Sequence, residues 1–159
     1  MSLENRPEHP PEHHCIFCAI VAGRAPAHIV LENDLVAAFL DINPVTPGHV
    51  LIVPKRHAAS LADLTFIENA SVFQAGKDIA SALRSSGLQC EGINYFVADG
   101  AAAFQEVFHF HLHVFPRYRG DSFRIDADWS NPPEFAALSE PADRIRRTLG
   151  ARSAPMMPV

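Results

Sequence analysis

The sequence predicts an α+β protein in which an antiparallel sheet of about five strands packs with one long helix. Short apolar runs rich in Val, Ile and Phe are separated by Asn, Asp, Gly and Pro, which is typical of strands joined by turns. A longer stretch, residues 62–87, has apolar residues at helical spacing. Strands in hairpin-like order beside a single long helix favour α+β over an alternating α/β arrangement.

The first part of the chain is predicted to contain a short helix and a hairpin. Residues 1–14 are rich in Pro, Glu and His, have little to bury, and are expected to be disordered. A short N-terminal helix is expected from "CIFCAIVAG", which ends in a glycine. "HIVLEN" and "LVAAFLD" are predicted to be two strands that turn around Asn33 and Asp34.

Three more strands and two helices are expected in the remainder. "HVLIVPKRH" is predicted to be the third strand, and "GINYFVA" and "VFHFHLHVFP" the fourth and fifth. A late helix is expected from Ser139 to Gly150. We therefore expect a single domain over residues 15–150, followed by a frayed end at 151–159.

The long helix is predicted to have an apolar face and a polar face. Gly87 is expected to end it. The positions expected in the core are Ile67, Ala70, Val72, Phe73, Ile79, Ala80 and Leu83, and those expected in solvent are Glu68, Lys77, Asp78 and Arg84.

Charge and composition exclude some classes of function. The formal net charge of −5 argues against binding to a nucleic-acid polymer, which needs a basic surface. No apolar run approaches the roughly 18 residues that span a bilayer, and the polar N-terminus does not have the form of a signal peptide. Three cysteines, an odd number, do not indicate a disulfide framework. We expect a cytoplasmic protein with no membrane partner.

Three histidines alternate with apolar residues in "FHFHLHVFPR". Residues i, i+2 and i+4 of a strand share one face, so His109, His111 and His113 are expected to stand side by side. Each buried imidazole needs partners for two ring nitrogens, which makes a purely structural row costly. Two of the rings can share a metal ion, but the third lies about 13 Å along the strand from the first and reaches the ion poorly. The row is therefore expected to divide its roles.

A CxxC pair, Cys15 and Cys18, begins the first predicted helix. The pair is half of a metal site, a redox pair or two buried thiols. The parallel βαβ context of thioredoxin-like redox pairs is missing. A zinc site needs two further N or S ligands, for which His57 after the third strand and one histidine of the row are candidates. His13 and His14 compete for this role, although residues of a tail are harder to preorganise.

Two loops carry candidate ligand-binding residues. In "FLDINPVTPGH", Asp41 lies at the end of the second strand, near Phe39 and Ile42. It is either a turn residue or an acceptor for a ribose diol whose base packs on the apolar neighbours. In "DGAAAFQE", small residues leave backbone N–H groups accessible to an anion, and Gln105 can donate to a phosphate oxygen or position water. The alternative for the second loop is a plain hairpin connection.

Together these stretches resemble the histidine triad (HIT) superfamily of nucleotide hydrolases and transferases. The family motif is His-φ-His-φ-His-φ-φ, with φ apolar, and "HFHLHVF" fits it at every position. The resemblance includes "PGHVLIVPKRH" and "FQEVFH" and runs from about Cys15 to Asp121. It implies a HIT-like fold, and it implies that the middle histidine, His111, attacks the α-phosphorus of a nucleoside 5′-phosphate derivative. The resulting nucleotidyl-histidine is then released to water or to another acceptor.

The resemblance also implies roles for the surrounding residues. His113 and His49 are expected to support the catalytic row. A structural zinc ion, which does not activate water, is expected on Cys15, Cys18, His57 and His109. Nucleotide contacts are expected from Phe39, Asp41, Ile42, Gln105, Val107, His111 and His113, and Gln105 is also expected to contribute to catalysis. The expected partners are a small nucleotide, more often a purine one, and a second copy of the chain in a homodimer.

Two positions depart from the family pattern, and they leave the branch of the family open. Phe104 stands where many members have Gly before the Gln, and Ala98 stands where Asn or Gln is frequent. A catalytically weak nucleotide-binding module and a nucleotidyltransferase are therefore alternatives to a hydrolase. "VFPRYRGDSF" resembles the dinucleoside polyphosphate hydrolases, in which Arg117 and Arg119 would meet distal phosphates; otherwise the two arginines are solvated. The phosphoramidate-cleaving branch is the rival.

Overall fold

A computed structural model describes residues 14–152 of the chain. Residues as far as Phe123 form one compact unit, and residues from Arg124 onward form a second. Apart from His14, the predicted disordered tail lies outside the described residues, as does the predicted frayed end beyond residue 152. No helix within 14–152 is long and apolar enough to cross a membrane.

Five antiparallel strands form one sheet in the first unit, which confirms the predicted α+β class and the number of strands. In chain order the strands are β1 (Ile29–Glu32), β2 (Val36–Leu40), β3 (Val50–Pro54), β4 (Gly92–Phe96) and β5 (Leu112–Arg117). Their order across the sheet is β1-β2-β3-β5-β4, so β4 is an outer strand. Asn33 makes the predicted first turn, since its Oδ1 accepts from Leu35 N and Val36 N, both at 2.9 Å.

Two helices pack on the sheet. α1 (Ile16–Val21) is the predicted short helix, and the chain turns away after it at Gly23, whose φ of 68° favours glycine. α2 (Phe66–Ser85) is the predicted long helix, but it begins later than expected because residues 61–63 form a separate 3-10 turn. Thr65 caps α2 by accepting from the N–H of its third residue.

The second unit contains a third helix. α3 (Ser139–Arg152) begins where the sequence predicts, after a 3-10 turn at Phe135–Leu138, but it runs through Gly150 instead of ending there. A glycine inside a helix costs about 1 kcal/mol relative to alanine, and a helix of this length tolerates that cost. The ion pairs Arg144–Glu140 and Arg146–Asp143 stabilise the exposed surface of α3.

The sheet buries side chains on both of its faces. On one face, α2 covers a core that consists of Val36, Ala38, Val50, Ile52, Phe110, Leu112 and Val114. On the other face, α1 covers a second cluster, which consists of Ala37, Phe39, Leu51 and Val53 together with Cys15, Phe17 and Cys18. Neighbouring residues of β2 and β3 therefore contribute to opposite cores, as expected for strands buried on both faces. Each fully buried Val, Leu, Ile or Phe contributes roughly 1.5–3 kcal/mol.

The faces of α2 differ from the prediction at four positions. Ile67, Ala70 and Phe73, which were expected in the core, are exposed, Ile67 by 62% and Phe73 by 48%. Glu68, which was expected in solvent, is buried. The three exposed residues lie off the face of α2 that carries the buried Val72 and Ile79. Glu68 can be buried on that face because its partners lie outside the helix, and helical spacing does not encode them.

Glu68 is buried because several donors share its carboxylate. Arg56 donates to it in a fork, from Nε to Oε1 at 2.8 Å and from Nη2 to Oε2 at 2.7 Å. Thr65 N also donates to Oε2, at 2.8 Å, and Thr65 Oγ1 accepts from Glu68 N at 3.3 Å, which completes a capping box. These hydrogen bonds, above all the one from Arg56, lower the pKa of Glu68 to about 2. The pair fastens the segment after β3 to the start of α2.

We expect Glu68→Gln to lower the free energy of unfolding at pH 7 by about 2 kcal/mol, because a buried, charged hydrogen-bond acceptor is lost. The folded carboxyl has the depressed pKa, so its contribution is complete above the ordinary value of 4.5 and is lost as the pH falls toward 2. Urea denaturation of both proteins between pH 7 and pH 3 measures this difference.

Asp78→Asn is the matched control, because it removes a carboxylate from the exposed face of the same helix. It should change the stability by less than about 0.5 kcal/mol. Equal losses in the two variants would contradict the role assigned to Glu68.

Candidate active site and metal site

The three histidines of the row lie close together, but they do not share one strand. β5 begins one residue after His111, so only His113 is within the strand, and His109 and His111 belong to the segment before it. That segment is held to the loop after β3 because Phe110 N donates to Ala58 O at 2.6 Å. The rings of His111 and His113 have centroids 4.8 Å apart, while the ring of His109 contacts the cysteines. The predicted division of roles therefore has a geometric basis.

His111 is held in one tautomer. Its Nδ1–H donates to the main-chain carbonyl of His109 at 2.7 Å, so Nε2 carries the lone pair. The ring of Phe17 packs edge-on against the imidazole, with centroids 5.2 Å apart. The side chain is 7% exposed, and burial lowers its pKa. The ring is therefore kept as a neutral imidazole with one bare nitrogen.

A second chain of hydrogen bonds sets the tautomer of His113. Val45 N donates to His49 Nδ1 at 3.1 Å, so His49 carries its proton on Nε2. His49 Nε2 donates in turn to His113 Nδ1 at 2.9 Å, which leaves the proton of His113 on Nε2. Burial, and then the neighbouring His111 and His49, lower the pKa of His113 to about 3. His111 and His113 thus present opposite groups, a bare nitrogen and an N–H.

A cavity of about 270 Å³ opens beside these two rings. This volume lies near the lower end of the range for small-molecule sites, about 300 to 1,000 Å³. Most of its wall is apolar and comes from α1, from β2 and its following loop, and from the loop before β5. Of the residues predicted to contact a nucleotide, those that line the cavity are Phe39, Asp41, Ile42, Val107, His111 and His113.

Asp41 is a turn residue that also lines the cavity. Its Oδ1 accepts from Asn43 N at 2.9 Å, which is a turn interaction. Its Oδ2 lies 3.5 Å from His49 Nδ1, and the residue also lines the cavity. The carboxylate is therefore fixed in orientation at the edge of the cavity.

Gln105 is placed differently from the expectation, because its side chain does not line the cavity. The side chain is buried and accepts from Gly100 N at 2.8 Å. It donates to Ala59 O at 2.7 Å and to Val107 O at 3.2 Å. The donor group that was expected to reach a phosphate oxygen is thus engaged by main-chain carbonyls, and the side chain anchors the loop between β4 and β5.

The four predicted metal ligands come together in one cluster. Ligand atoms of Cys15, Cys18, His57 and His109 all lie within 4.8 Å of one another. His109 Nδ1 is 3.5 Å from Cys15 Sγ and 3.4 Å from Cys18 Sγ, and His57 Nδ1 is 3.3 Å from Cys18 Sγ. Zn–S and Zn–N bonds of about 2.3 and 2.0 Å at tetrahedral angles would place S and N about 3.5 Å apart. The donor set and its spacing fit a tetrahedral metal ion.

The protein itself fixes the ligand atom of His109. Its Nε2–H donates to Pro54 O at 2.9 Å, which leaves Nδ1 bare on the side of the sulfur atoms. Cys15, Cys18 and His109 are buried, and His57 is partly buried. The cluster is thus enclosed by α1, the segment after β3 and the segment before β5.

A second group, Asp41, His49 and His113, also brings possible ligand atoms within 4.8 Å of one another. Its facing nitrogens are already joined by the hydrogen bond from His49 to His113. His49 Nδ1 accepts from a backbone N–H as well. The cysteine-containing cluster is therefore the better fit to a metal ion.

Arg117 does not line the cavity, and its guanidinium is bound to neighbouring residues. Its Nε and Nη2 donate to Asp121 at 2.6 and 2.9 Å, and its Nη1 donates to Asn94 Oδ1 at 2.6 Å. The guanidinium also lies over the ring of Phe123. Pairing with Asp121 raises the pKa of Arg117 and lowers that of the carboxyl. Arg117 is thus partly buried and paired, unlike the solvated arginine of the second alternative, whereas Arg119 is exposed, as that alternative predicted. A contact of Arg117 with distal phosphates stays a prediction.

Sequence reasoning assigned no ligand contact to several residues of the cavity wall, among them Phe17, Phe104 and Glu106. Phe17, inside the CxxC motif, packs on His111, and Phe104 and Glu106 lie in the loop before β5. Phe104 was singled out only as a departure from a family pattern. No signal marked Glu106, because loop residues carry no periodic pattern.

Comparison with known proteins agrees with this geometry. A family model described as HIT domain matches residues 22–120. An uncharacterized HIT-like protein of Borreliella burgdorferi is 48% identical over 110 residues, which are 69% of this chain and 79% of that protein. The crystal structure of a zinc-bound histidine triad family protein from Mycobacterium smegmatis is 39% identical, with a TM-score of 0.67 and coverage of 84% of this chain and 99% of that one.

The crystal structure of a histidine triad nucleotide-binding protein from Candida albicans is 27% identical, with a TM-score of 0.76 and coverage of 87% of this chain and 99% of that one. The segment matched by the family model includes all five strands, α2 and the three histidines of the row. By this match and by its identity to the Borreliella relative, the chain belongs to the histidine triad (HIT) family.

Proposed function

We propose that this chain hydrolyses nucleoside 5′-phosphate derivatives at the α-phosphorus, with His111 as the nucleophile. The observation that carries the proposal is the tautomer of His111. His109 O holds Nδ1–H at 2.7 Å, and Nε2 is the remaining nitrogen of a ring that lines the cavity. Attack by an imidazole needs such a bare nitrogen. Membership of the HIT family supports the same reaction class, a nucleotide hydrolase.

The reaction proceeds in two displacements. In the first, the lone pair of His111 Nε2 forms a bond to the α-phosphorus, and the bond to the leaving group breaks with its electron pair on the leaving atom. A leaving nitrogen takes a proton from solvent as this bond breaks, and the water consumed in the second displacement returns one. The imidazole is then positively charged, and the carbonyl of His109 stabilises it through Nδ1–H. In the second displacement, water attacks phosphorus, the P–N bond breaks, and the electron pair returns to Nε2 while the proton of water is lost to solvent.

His113 and His49 act on the phosphate oxygens rather than on phosphorus. Because His113 carries its proton on Nε2, it can donate to an oxygen on which negative charge develops. His49 is a positioning residue, since it fixes that tautomer by donating to Nδ1. Both residues are neutral, so the pair contributes oriented dipoles and not net charge.

We assign the nucleoside to the apolar side of the cavity. Asp41, whose carboxylate is already oriented, accepts hydrogen bonds from the ribose hydroxyls. Phe39 and Ile42 pack on the base, and the backbone near Val107 contacts the α-phosphate. Ile42 is 91% exposed, and packing against a flat purine ring would cover it. The Candida relative, which is described as nucleotide-binding, supports a nucleotide in this place.

We also propose that Cys15, Cys18, His57 and His109 hold a structural zinc ion. The S···N separations of 3.3 to 3.5 Å support zinc, as does the zinc-bound relative from Mycobacterium smegmatis. With four protein ligands the ion has no open position, so it would cross-link three segments of chain and would activate no water. Its effect on catalysis would pass through the position of His109.

A homodimer is the assembly that we propose. β4 is an outer strand with an unpaired edge, and Tyr95 and Phe96 are 47% and 44% exposed. Tyr95 also contacts α2, since its hydroxyl donates to Gly76 O at 3.4 Å. Phe73 is one turn before Gly76 on α2 and is half exposed. This apolar surface of β4 and α2 is what a second copy would bury.

His111→Asn is expected to reduce turnover by about a thousandfold or more, because the nucleophile is lost. Binding of the nucleoside monophosphate should remain measurable by calorimetry. His28→Asn is the control, since His28 is exposed and does not line the cavity. Turnover that persists in His111→Asn would refute the mechanism. Binding without turnover in the unaltered chain would favour a binding module, and transfer to an added alcohol or amine would favour a transferase.

Cys18→Ser is expected to lower bound zinc from about one equivalent to well below one, and to lower the melting temperature by more than about 5 °C. Cys90→Ser is the matched control, because Cys90 lies outside the cluster and its thiol donates to Gly92 O. Metal analysis and thermal denaturation provide the two readouts. Loss of zinc in His49→Ala but not in Cys18→Ser would place the ion in the other group and contradict the assignment.

Phe73→Glu is expected to convert the dimer to a monomer, because a carboxylate cannot be buried in an apolar interface without a partner. Light scattering at a fixed protein concentration measures the mass. Ile16→Glu is the control, since Ile16 is equally exposed but lies on α1, at the opposite face of the sheet. A monomer in the unaltered chain, or a dimer in both variants, would contradict this interface.

A further inference from the structure

The loop between β4 and β5 places an aromatic ring and a carboxylate on the cavity wall. Phe104 and Glu106 both line the cavity that contains His111 and His113. The ring of Phe104 is 84% exposed, and Glu106 is also exposed. Neither side chain contributes to the core, and the mechanism proposed above uses neither of them. Because both side chains are exposed, they lie at the solvent side of the cavity, where a part of a substrate that projects toward solvent would meet them.

The backbone holds Phe104 in an unfavourable conformation. Its φ is 67°, in the left-handed region that side-chain-bearing residues rarely adopt, at a cost on the order of 1 kcal/mol or more. Main-chain bonds pin the turn on both sides, from Phe104 N to Ala101 O at 3.0 Å and from Gln105 N to Gly100 O at 3.2 Å. The buried amide of Gln105 fixes the loop further. The exposed ring is therefore presented by a rigid support.

The charge of the cavity wall is negative. Of the described residues that line it, none is Lys or Arg, and two, Asp41 and Glu106, carry carboxylates. Asp41 is engaged by a backbone N–H and lies near His49. Within residues 14–152, no Lys or Arg forms an ion pair with Glu106. Arg117, which the sequence suggested for binding distal phosphates, forms an ion pair with Asp121.

We propose that Phe104 and Glu106 select substrates whose leaving group carries a positive charge, such as an ammonium group, over substrates with a polyphosphate leaving group. This specificity rests on the proposed function, because it concerns the leaving group of that reaction. A carboxylate pairs with an ammonium ion, and the face of an aromatic ring attracts the same cation. A polyphosphate would bring further negative charge to a wall with no basic side chain. The preference is therefore opposite to that of a dinucleoside polyphosphate hydrolase.

Three adenosine 5′-phosphoramidates with the same P–N bond and alkyl chains of equal length test the proposal. The chains end in an ammonium, a hydroxyl or a carboxylate group. At low salt, kcat/KM for the ammonium substrate should exceed that for the carboxylate substrate by about fivefold to tenfold, and the ratio should fall as salt is added. Equal kcat/KM for the three substrates would overturn the proposal.

Two variants test whether Glu106 and Phe104 cause the preference for the ammonium substrate. Glu106→Gln should reduce the ammonium-to-carboxylate ratio to within about twofold of one, and Phe104→Leu should reduce it by about twofold to fourfold. Asp78→Asn, which removes a carboxylate from the exposed surface of α2, should leave the ratio unchanged. An unchanged ratio in Glu106→Gln would overturn the role of that residue.

Binding measurements separate this proposal from the proposed function. Calorimetry with adenosine 5′-phosphonate analogues that resist cleavage and carry the same three end groups should give the same order of affinity. If no phosphoramidate is cleaved but the ammonium analogue binds most tightly, the reaction fails and the selectivity stands. If all three phosphoramidates are cleaved equally and the analogues bind equally, the selectivity fails and the reaction stands.

Discussion

The site depends on His109, because three polar groups of this one residue each have a different partner. Its Nδ1 is within 3.5 Å of two thiol sulfurs, and its Nε2–H is held by Pro54 O. Its main-chain carbonyl accepts the Nδ1–H of His111. The residue that joins the metal-binding cluster to β3 thus also decides which nitrogen of His111 is bare. A shift of His109 would be transmitted to that nitrogen directly, without any intervening side chain.

The two faces of the sheet differ, because one carries the main apolar core and the other carries the candidate site. One face is covered by α2 and has a large apolar core cluster. The other face carries the cluster around α1, with the imidazoles at its border. Burying several imidazoles is costly unless each nitrogen has a partner, and here backbone groups are the partners of three ring nitrogens. The N–H of Val45 sets the tautomer of His49, and the main-chain carbonyl of His109 sets the tautomer of His111. The tautomers are therefore set by the path of the chain and need no charged neighbour.

The sequence predicted the elements whose signal is local, and it failed where the deciding partner is distant. The strands were predicted from alternation, and the candidate metal ligands from CxxC spacing together with the resemblance to the HIT family. Glu68 was placed in solvent because helical spacing does not register Arg56, twelve residues earlier, which turns the carboxylate inward. Gln105 was expected at a phosphate, but the carbonyl of Ala59, on a different loop, takes its donor. Glu106 lies on a loop, where neither periodicity nor capping rules apply.

The register of β4 on β5 places Phe96 directly opposite His113, with the two rings 5.7 Å apart. β4 is the last strand of the sheet, so a single side chain separates its open edge from the histidine that bears the outward proton. A second chain bound at the edge of β4 would thus lie one side chain away from the Nε2–H of His113. A contact that tilts the ring of Phe96 would change the orientation of His113, and with it the hydrogen bond that His113 donates to the phosphate in the proposed mechanism. Dimer formation at this edge would therefore affect the reaction through one side chain.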